Sequence, residues 1–190
     1  NKIKGIFILS KVLNINQLDM NNNVKETIEA LCNSAISLVD ELSLSGLGAD
    51  HRSSVGKNTD GDSQKNLDVI ADNIFRDNLK ETGVSFYASE EREYVEILNK
   101  EGEIGVAIDP LDGSSNIDCN VSIGTIFSIK KIKDKNNPEA DFFHLGNYLV
   151  AGYFIYGPQT LLVFTSGSGI LKYIYNGKSK KFEILPAIID

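Results

Sequence analysis

Apolar residues at Val24, Ile28, Leu31, Ala35, Leu38, Val39 and Leu42 recur at the three- and four-residue intervals of an α-helix. The spacing predicts a helix over 24–44, opened by the capping side chains of Asn21, Asn22 and Asn23 and ended near Gly46 and Gly48. A second helical stripe, Leu67, Ile70, Ala71, Ile74, Phe75 and Leu79, is led in by residues 62–68 and stopped by Gly83. Between the two lies a polar, glycine-rich stretch, 45–61, that reads as a loop. From Val84 onward the pattern changes. Short apolar or alternating runs predict strands over 84–88, 94–98, 104–108, 121–132, 149–156, 160–165, 170–175 and 181–185, with a charged loop over 133–146. Asn176-Gly177 is a hairpin signal. Helices come first and strands follow, so the expected class is α+β: layered helices on a mixed β-sheet. Residues 1–23 carry no clear element, and 24–190 read as one domain without internal repeats.

Composition narrows the function. A chain of 190 residues that is 42% hydrophobic and 24% charged can bury a core without disulfide staples. Its net charge of −7 argues against nucleic acid or an anionic membrane as partner. Ile6-Phe7-Ile8-Leu9 is too short for the core of a signal peptide, despite Lys2 and Lys4 before it. Cys32 and Cys119 lack C-x-x-C or zinc-site spacing and fit free thiols in the cytoplasm, Cys32 on the first helix's apolar stripe. The chain begins without Met and so reads as a trimmed piece.

Chemistry concentrates in Asp109-Pro110-Leu111-Asp112-Gly113-Ser114-Ser115-Asn116, directly after the apolar run at 104–108. A buried strand here ends on a carboxylate, Pro110 stops the ladder hydrogen bonding, and Gly113 permits a turn that a bulkier residue would strain. Two carboxylates three residues apart therefore meet a Gly-Ser-Ser segment rich in donors. Hard cations such as Mg²⁺ take oxygen ligands, and backbone N–H groups with hydroxyls suit a phosphate. Asp-Pro and Asp-Gly are also common turn pairs, so a plain strand-to-loop turn is the lesser alternative for the first five residues alone. Upstream, Asp62 fits a helix-capping carboxylate. Asp68, flanked by Leu67 and Val69, points partly toward the buried side and needs a partner or a metal. Glu90 and Glu91 close the strand at 84–88, as a cation-seeking pair or as a solvated charged turn. His51 reads as a loop histidine.

Taken in order, Gly61-Asp62 with Asp68, Glu90-Glu91 and Asp109-Pro-Leu-Asp-Gly resemble the metal-dependent sugar and inositol phosphatase superfamily. More narrowly, Gln64-Lys-Asn-Leu-Asp-Val69, Asp109 through Cys119, Val121-Ser-Ile-Gly-Thr-Ile-Phe127 and Ala151-Gly-Tyr-Phe-Ile-Tyr-Gly157 resemble class I fructose-1,6-bisphosphatase over residues 24–185. The resemblance implies hydrolysis of the 1-phosphate of fructose 1,6-bisphosphate, with Mg²⁺ or Mn²⁺ as cofactor and a homo-oligomer, dimer or tetramer, as the working form. Glu90, Asp109 and Asp112, with the Leu111 carbonyl, would ligate the metal ions, and Asp62 would add a contact from a closing loop. Asp68 and Glu91 would orient and deprotonate the attacking water, while Gly113 and Ser114 would hold the phosphate. Asp118 and Cys119 read as structural. Ser115-Asn116-Ile117-Asp118 favours the fructose enzyme over inositol phosphatases, which place Thr after the Gly. A sedoheptulose-bisphosphatase or inositol-phosphatase-like activity is the alternative within the superfamily, and a non-catalytic fragment the alternative outside it. Two departures stand out. The family's C-terminal sugar-binding half has no counterpart before Asp190, so impaired activity is expected of these residues alone. Glu103-Ile104 stands where some members place the Lys-Tyr of an AMP site.

Overall fold

The computed structural model describes Ile15, residues 18–44 and residues 60–185, with side chains from Leu67 onward in the second helix. Helix α1 spans Asn22–Leu44 and α2 spans Asp60–Lys80. Eight strands follow: β1 (Val84–Ser89), β2 (Glu96–Ile97), β3 (Ile104–Asp112), β4 (Ile123–Lys131), β5 (Tyr148–Tyr156), β6 (Thr160–Thr165), β7 (Ile170–Asn176) and β8 (Lys181–Ile184). They form one sheet in the order β2-β1-β3-β4-β5-β6-β7-β8. Every neighbouring pair is antiparallel except β1 and β3, which run parallel. The α+β class and the order of elements follow the hydrophobic pattern.

The two helical stripes explain the layering. Ile28, Leu31, Ala35 and Leu38 of α1 and Leu67, Ala71, Phe75 and Leu79 of α2 are buried in one core with Val106, Ile108, Phe127, Ile129, Phe154 and Phe164 of the sheet. Cys32 belongs to this core, as its place on the stripe predicts, and burial pushes its thiol pKa far up. From Ile123 to Ile129 of β4 burial alternates, with Ile123, Thr125, Phe127 and Ile129 inward and Ile126 on the other face half exposed, before buried Lys130 breaks the pattern. No helix among the described residues is long and apolar enough to cross a membrane.

Three expectations about the elements need correction. Asp60 and Gly61, assigned above to the loop, already belong to α2, whose first turn tolerates both residue types. Residues 45–59, including His51, lie outside the described residues. The charged loop at 133–146 contains a short helix, α3 (Pro138–Phe143), which Pro138 and the acidic Glu139 and Asp141 favour at its first turn. Only Glu96 and Ile97 of the run 94–98 pair as strand, at the sheet's edge. The Asn176-Gly177 hairpin forms, but around residues 177–180, with Asn176 paired to Lys181. Its left-handed residue is Lys180 (φ 56°) rather than Gly177.

Gly152 has a steric reason. A Cβ there would lie 2.5 Å from the Phe164 Cβ and 2.7 Å from the Val163 carbonyl oxygen, where β5 meets β6. Gly152→Ala is therefore expected to destabilise the fold by about 1–3 kcal/mol through overpacking. Urea unfolding with an unchanged midpoint would show that the strands shift freely.

Candidate active site

Because β1 and β3 are parallel neighbours, their carboxyl ends emerge together at one edge of the sheet. The ladder runs one step beyond β1: the Glu90 N–H donates to the Ile108 carbonyl at 3.1 Å. That bond fixes Glu90 beside Asp109, the next residue of β3. The Glu91 N–H donates to the Ser89 hydroxyl at 3.2 Å, which closes the turn and leaves both glutamate side chains exposed.

Strand β3 does not stop at Pro110, contrary to the reading above. Pairing with β4 lapses across Pro110 and Leu111 and resumes at Asp112, opposite Gly124. Two residues of β3 there oppose the single Thr125 of β4, which is a β-bulge, a place where a residue without an N–H is tolerated. The bulge interrupts the alternation, so Pro110 and Leu111 are both buried while Asp109 is half-buried and Asp112 exposed. Gly113 follows with φ 80°, the left-handed conformation that glycine adopts without strain, and Ser114–Asn116 form one 3₁₀ turn. The phosphate-suited segment is thus a single turn, not the start of a long helix.

Asp68 on α2 reaches the same turn: the Ser114 hydroxyl donates to Asp68 Oδ2 at 3.3 Å. The partner that its half-buried position demands is thereby found. Burial raises the Asp68 pKa, the Ser114 hydrogen bond opposes the rise, and the Glu90 charge adds to it. Asp109 is pushed up to about 7, first by burial, then by its hydrogen bond with Glu90 and the nearby charges of Glu90 and Asp112. The Leu111 N–H, donating to Asp109 Oδ1 at 3.2 Å, works against that shift. Glu90 and Asp112 both act on Asp109 through their charges, and all three carboxylates are oxygen donors of the kind a hard cation takes. Among the described residues, no group of three acidic, histidine or cysteine side chains comes together closely enough to hold a metal ion. Asp62 sits in the first turn of α2, and its side chain lies outside those described. Cys119 is exposed rather than packed.

A second layer escaped the sequence reading. Arg92, directly after the glutamates, donates through Nε to Asp72 Oδ2 at 2.7 Å and through Nη1 to Glu96 Oε2 at 3.0 Å. Asp72 is buried on α2 and also accepts the Tyr87 hydroxyl at 2.9 Å. Arg76 completes the array, donating to Glu96 through Nε at 2.7 Å. This network ties the Glu90-Glu91 turn to α2, the helix that carries Asp68. The signal was present in the sequence as an arginine one helical turn before Glu96 and an aspartate one turn after Asp68, but each alone reads as an ordinary surface charge.

The raised Asp109 pKa carries a stability consequence. Its folded value of about 7 stands above the ordinary 3.8, so its contribution is full below pH 3.8 and is lost as pH rises through about 7. In chelator, the urea midpoint of the protein is expected to fall between about pH 4 and pH 7 relative to that of Asp109→Asn. Parallel profiles for the two proteins would remove the proposed charge crowding.

Comparison with known proteins places the fold in a family. Residues 7–185 match the family model for the fructose-1,6-bisphosphatase N-terminal domain. A class 1 fructose-1,6-bisphosphatase of Cereibacter sphaeroides is 43% identical over 163 residues, which is 85% of this chain and 48% of that protein. One from Rhodobacter capsulatus is 43% identical over 172 residues, 90% of this chain and 51% of that protein. The crystal structure of Leishmania major fructose-1,6-bisphosphatase in its holo form superposes with a TM-score of 0.74 at 27% identity, covering 88% of this chain and 53% of that one. The chain thus spans about half the length of the curated relatives it matches. It belongs to the fructose-1,6-bisphosphatase family, as a match to the N-terminal domain.

Proposed function

We propose, with membership of that family as the premise, that the full-length protein hydrolyses the 1-phosphate of fructose 1,6-bisphosphate, yielding fructose 6-phosphate and phosphate. The observation that supports the reading is the placement of Glu90 beside Asp109 at the ends of two parallel strands, with Asp112 leading directly into the Gly113-Ser114 turn. The donors are carboxylates and a backbone carbonyl, which suits Mg²⁺, with Mn²⁺ as a substitute. Glu90, Asp109, Asp112 and the Leu111 carbonyl would hold the ions, with Asp62 as a further contact. A divalent cation, when bound, supplies neutralisation of the phosphate charge and acidification of water.

The chain's own residues account for the remaining roles. Backbone N–H groups at Gly113 and Ser114 orient the phosphate being cleaved. Asp68, its basicity raised by burial, takes the proton as the water oxygen bonds to phosphorus, and Glu91 helps orient that water. The bond between phosphorus and the sugar oxygen breaks in line, and that oxygen leaves to be protonated. Crowded carboxylates at the rim also exclude phosphate in the absence of a cation, which makes hydrolysis strictly metal-dependent. A cytoplasmic homo-oligomer, dimer or tetramer, serving gluconeogenesis is part of the same proposal, in keeping with two free cysteines, one of them buried.

The test is phosphate release from fructose 1,6-bisphosphate by the full-length protein, with Mg²⁺ and with chelator. Asp112→Asn is expected to weaken cation binding and abolish turnover. Asp68→Asn should lower kcat about a hundredfold or more while cation affinity is kept. Normal Mg²⁺ dependence in Asp112→Asn would overturn the ligand assignment, and lost affinity in Asp68→Asn would move that residue among the ligands. Release only from sedoheptulose or inositol phosphates would replace the substrate, and release from none would replace the enzyme reading.

A further inference from the structure

Behind the acidic rim, at the bulge, three polar groups are buried in a row. The Thr125 hydroxyl, fully buried on β4, lies 2.8 Å from the Pro110 carbonyl oxygen and 2.7 Å from the Tyr156 hydroxyl on β5. A carbonyl only accepts, so the single Thr125 proton goes to Pro110. The Tyr156 hydroxyl must then donate to Thr125. Burial raises the Tyr156 pKa, which keeps that phenolic proton in place, and its ring stacks on Phe154 at 6.4 Å between centroids. The resulting chain has one direction: Tyr156 to Thr125 to the Pro110 carbonyl.

The Pro110 carbonyl and the Leu111 N–H are opposite ends of one planar peptide. Holding the oxygen on the Thr125 side therefore turns the N–H to the other side, where it donates to Asp109 Oδ1 at 3.2 Å. This peptide lies in the stretch where the β3–β4 ladder lapses, so no strand partner fixes it. We propose that Thr125 and Tyr156 are positioning residues that, through the Pro110–Leu111 peptide, set the orientation of the Asp109 carboxylate for cation binding. The inference rests on the reading of Asp109 as a metal ligand. Neither hydroxyl touches the acidic rim itself. The ordinary alternative is a pair of buried hydroxyls that serve only stability, and the two accounts differ in what they predict for affinity at constant fold.

The experiment is calorimetric titration of Mn²⁺ into the full-length protein and into Thr125→Val, Thr125→Ser and Tyr156→Phe, with thermal melts of each. Thr125→Val keeps the shape and loses the hydroxyl, so Mn²⁺ binding should weaken about tenfold or more, as for other groups that orient metal ligands. Thr125→Ser keeps the hydroxyl and should retain wild-type affinity even where its melting temperature drops. Tyr156→Phe leaves Thr125 able to donate and should weaken binding less than Thr125→Val. Equal affinity in Thr125→Val and wild type, with only the melting temperature lowered, overturns the positioning role. So does a loss in Thr125→Ser as large as in Thr125→Val. A wild-type protein that binds no Mn²⁺ overturns the metal reading and this inference with it, an outcome distinct from the other two. Should Thr125→Val fail to fold, the comparison of Tyr156→Phe with Thr125→Ser decides: a weakened phenylalanine variant beside an intact serine variant supports the relay, and equal affinities overturn it.

Discussion

Like charges forced together at a strand end are the constraint on which the rest of this structure depends. The parallel pairing of β1 with β3 brings Glu90 and Asp109 to adjacent positions, and Asp112 follows three residues on, past the bulge. Parallel neighbours point their carboxyl ends the same way, so an acid after one and an acid closing the other must meet. Left alone, such a group resists full ionisation: burial first, then the Glu90 hydrogen bond and the charges of Glu90 and Asp112, push Asp109 up to about 7. A divalent cation held between the carboxylates, as proposed above, would remove the conflict. Repulsion among the carboxylates and the proposed affinity for a cation are two sides of one arrangement.

Much of the surrounding architecture serves to hold that arrangement against its own repulsion. Helix α2 is anchored to the sheet by Leu67, Ala71, Phe75 and Leu79, and presents Asp68 toward Ser114 and Asp72 toward Arg92. The Arg92 guanidinium in turn ties down the turn bearing Glu90 and Glu91. Its contribution is less a matter of raw stability than of geometry, because partly exposed ion pairs contribute little free energy but direct a short turn effectively. On the other side, β4 and β5 support the bulge from within the core through Thr125 and Tyr156. Helix, turn and bulge thus converge from three directions on a few carboxylates.

The sequence is legible where one period dominates. The stripes of α1 and α2 and the alternation of β4 specify elements and faces, because each pattern has one partner surface to bury. It is less legible where a local rule meets a tertiary one. Pro110 reads as a strand breaker, yet β3 passes through it, since the bulge removes the need for its missing N–H. Residues 133–146 read as a charged loop because the six-residue α3 is too short to show a period. The acidic residues of the site were visible as types and spacings, since their chemistry is unusual at strand ends. Asp72, Arg92, Thr125 and Tyr156 were not, since their meaning lies in partners 15 to 31 residues away along the chain.

The measurement that most directly tests the central claim is proton release on cation binding to the full-length protein, read as the difference in Mn²⁺ binding enthalpy between buffers of unlike ionisation enthalpy. If the cation relieves the crowding at Asp109, binding at pH 6 releases most of one proton. The release then declines toward zero above about pH 8, past the value of about 7 for that carboxyl. Binding with no proton release at pH 6, or release that does not change with pH, would contradict the claim that this strand-end repulsion is what the cation resolves.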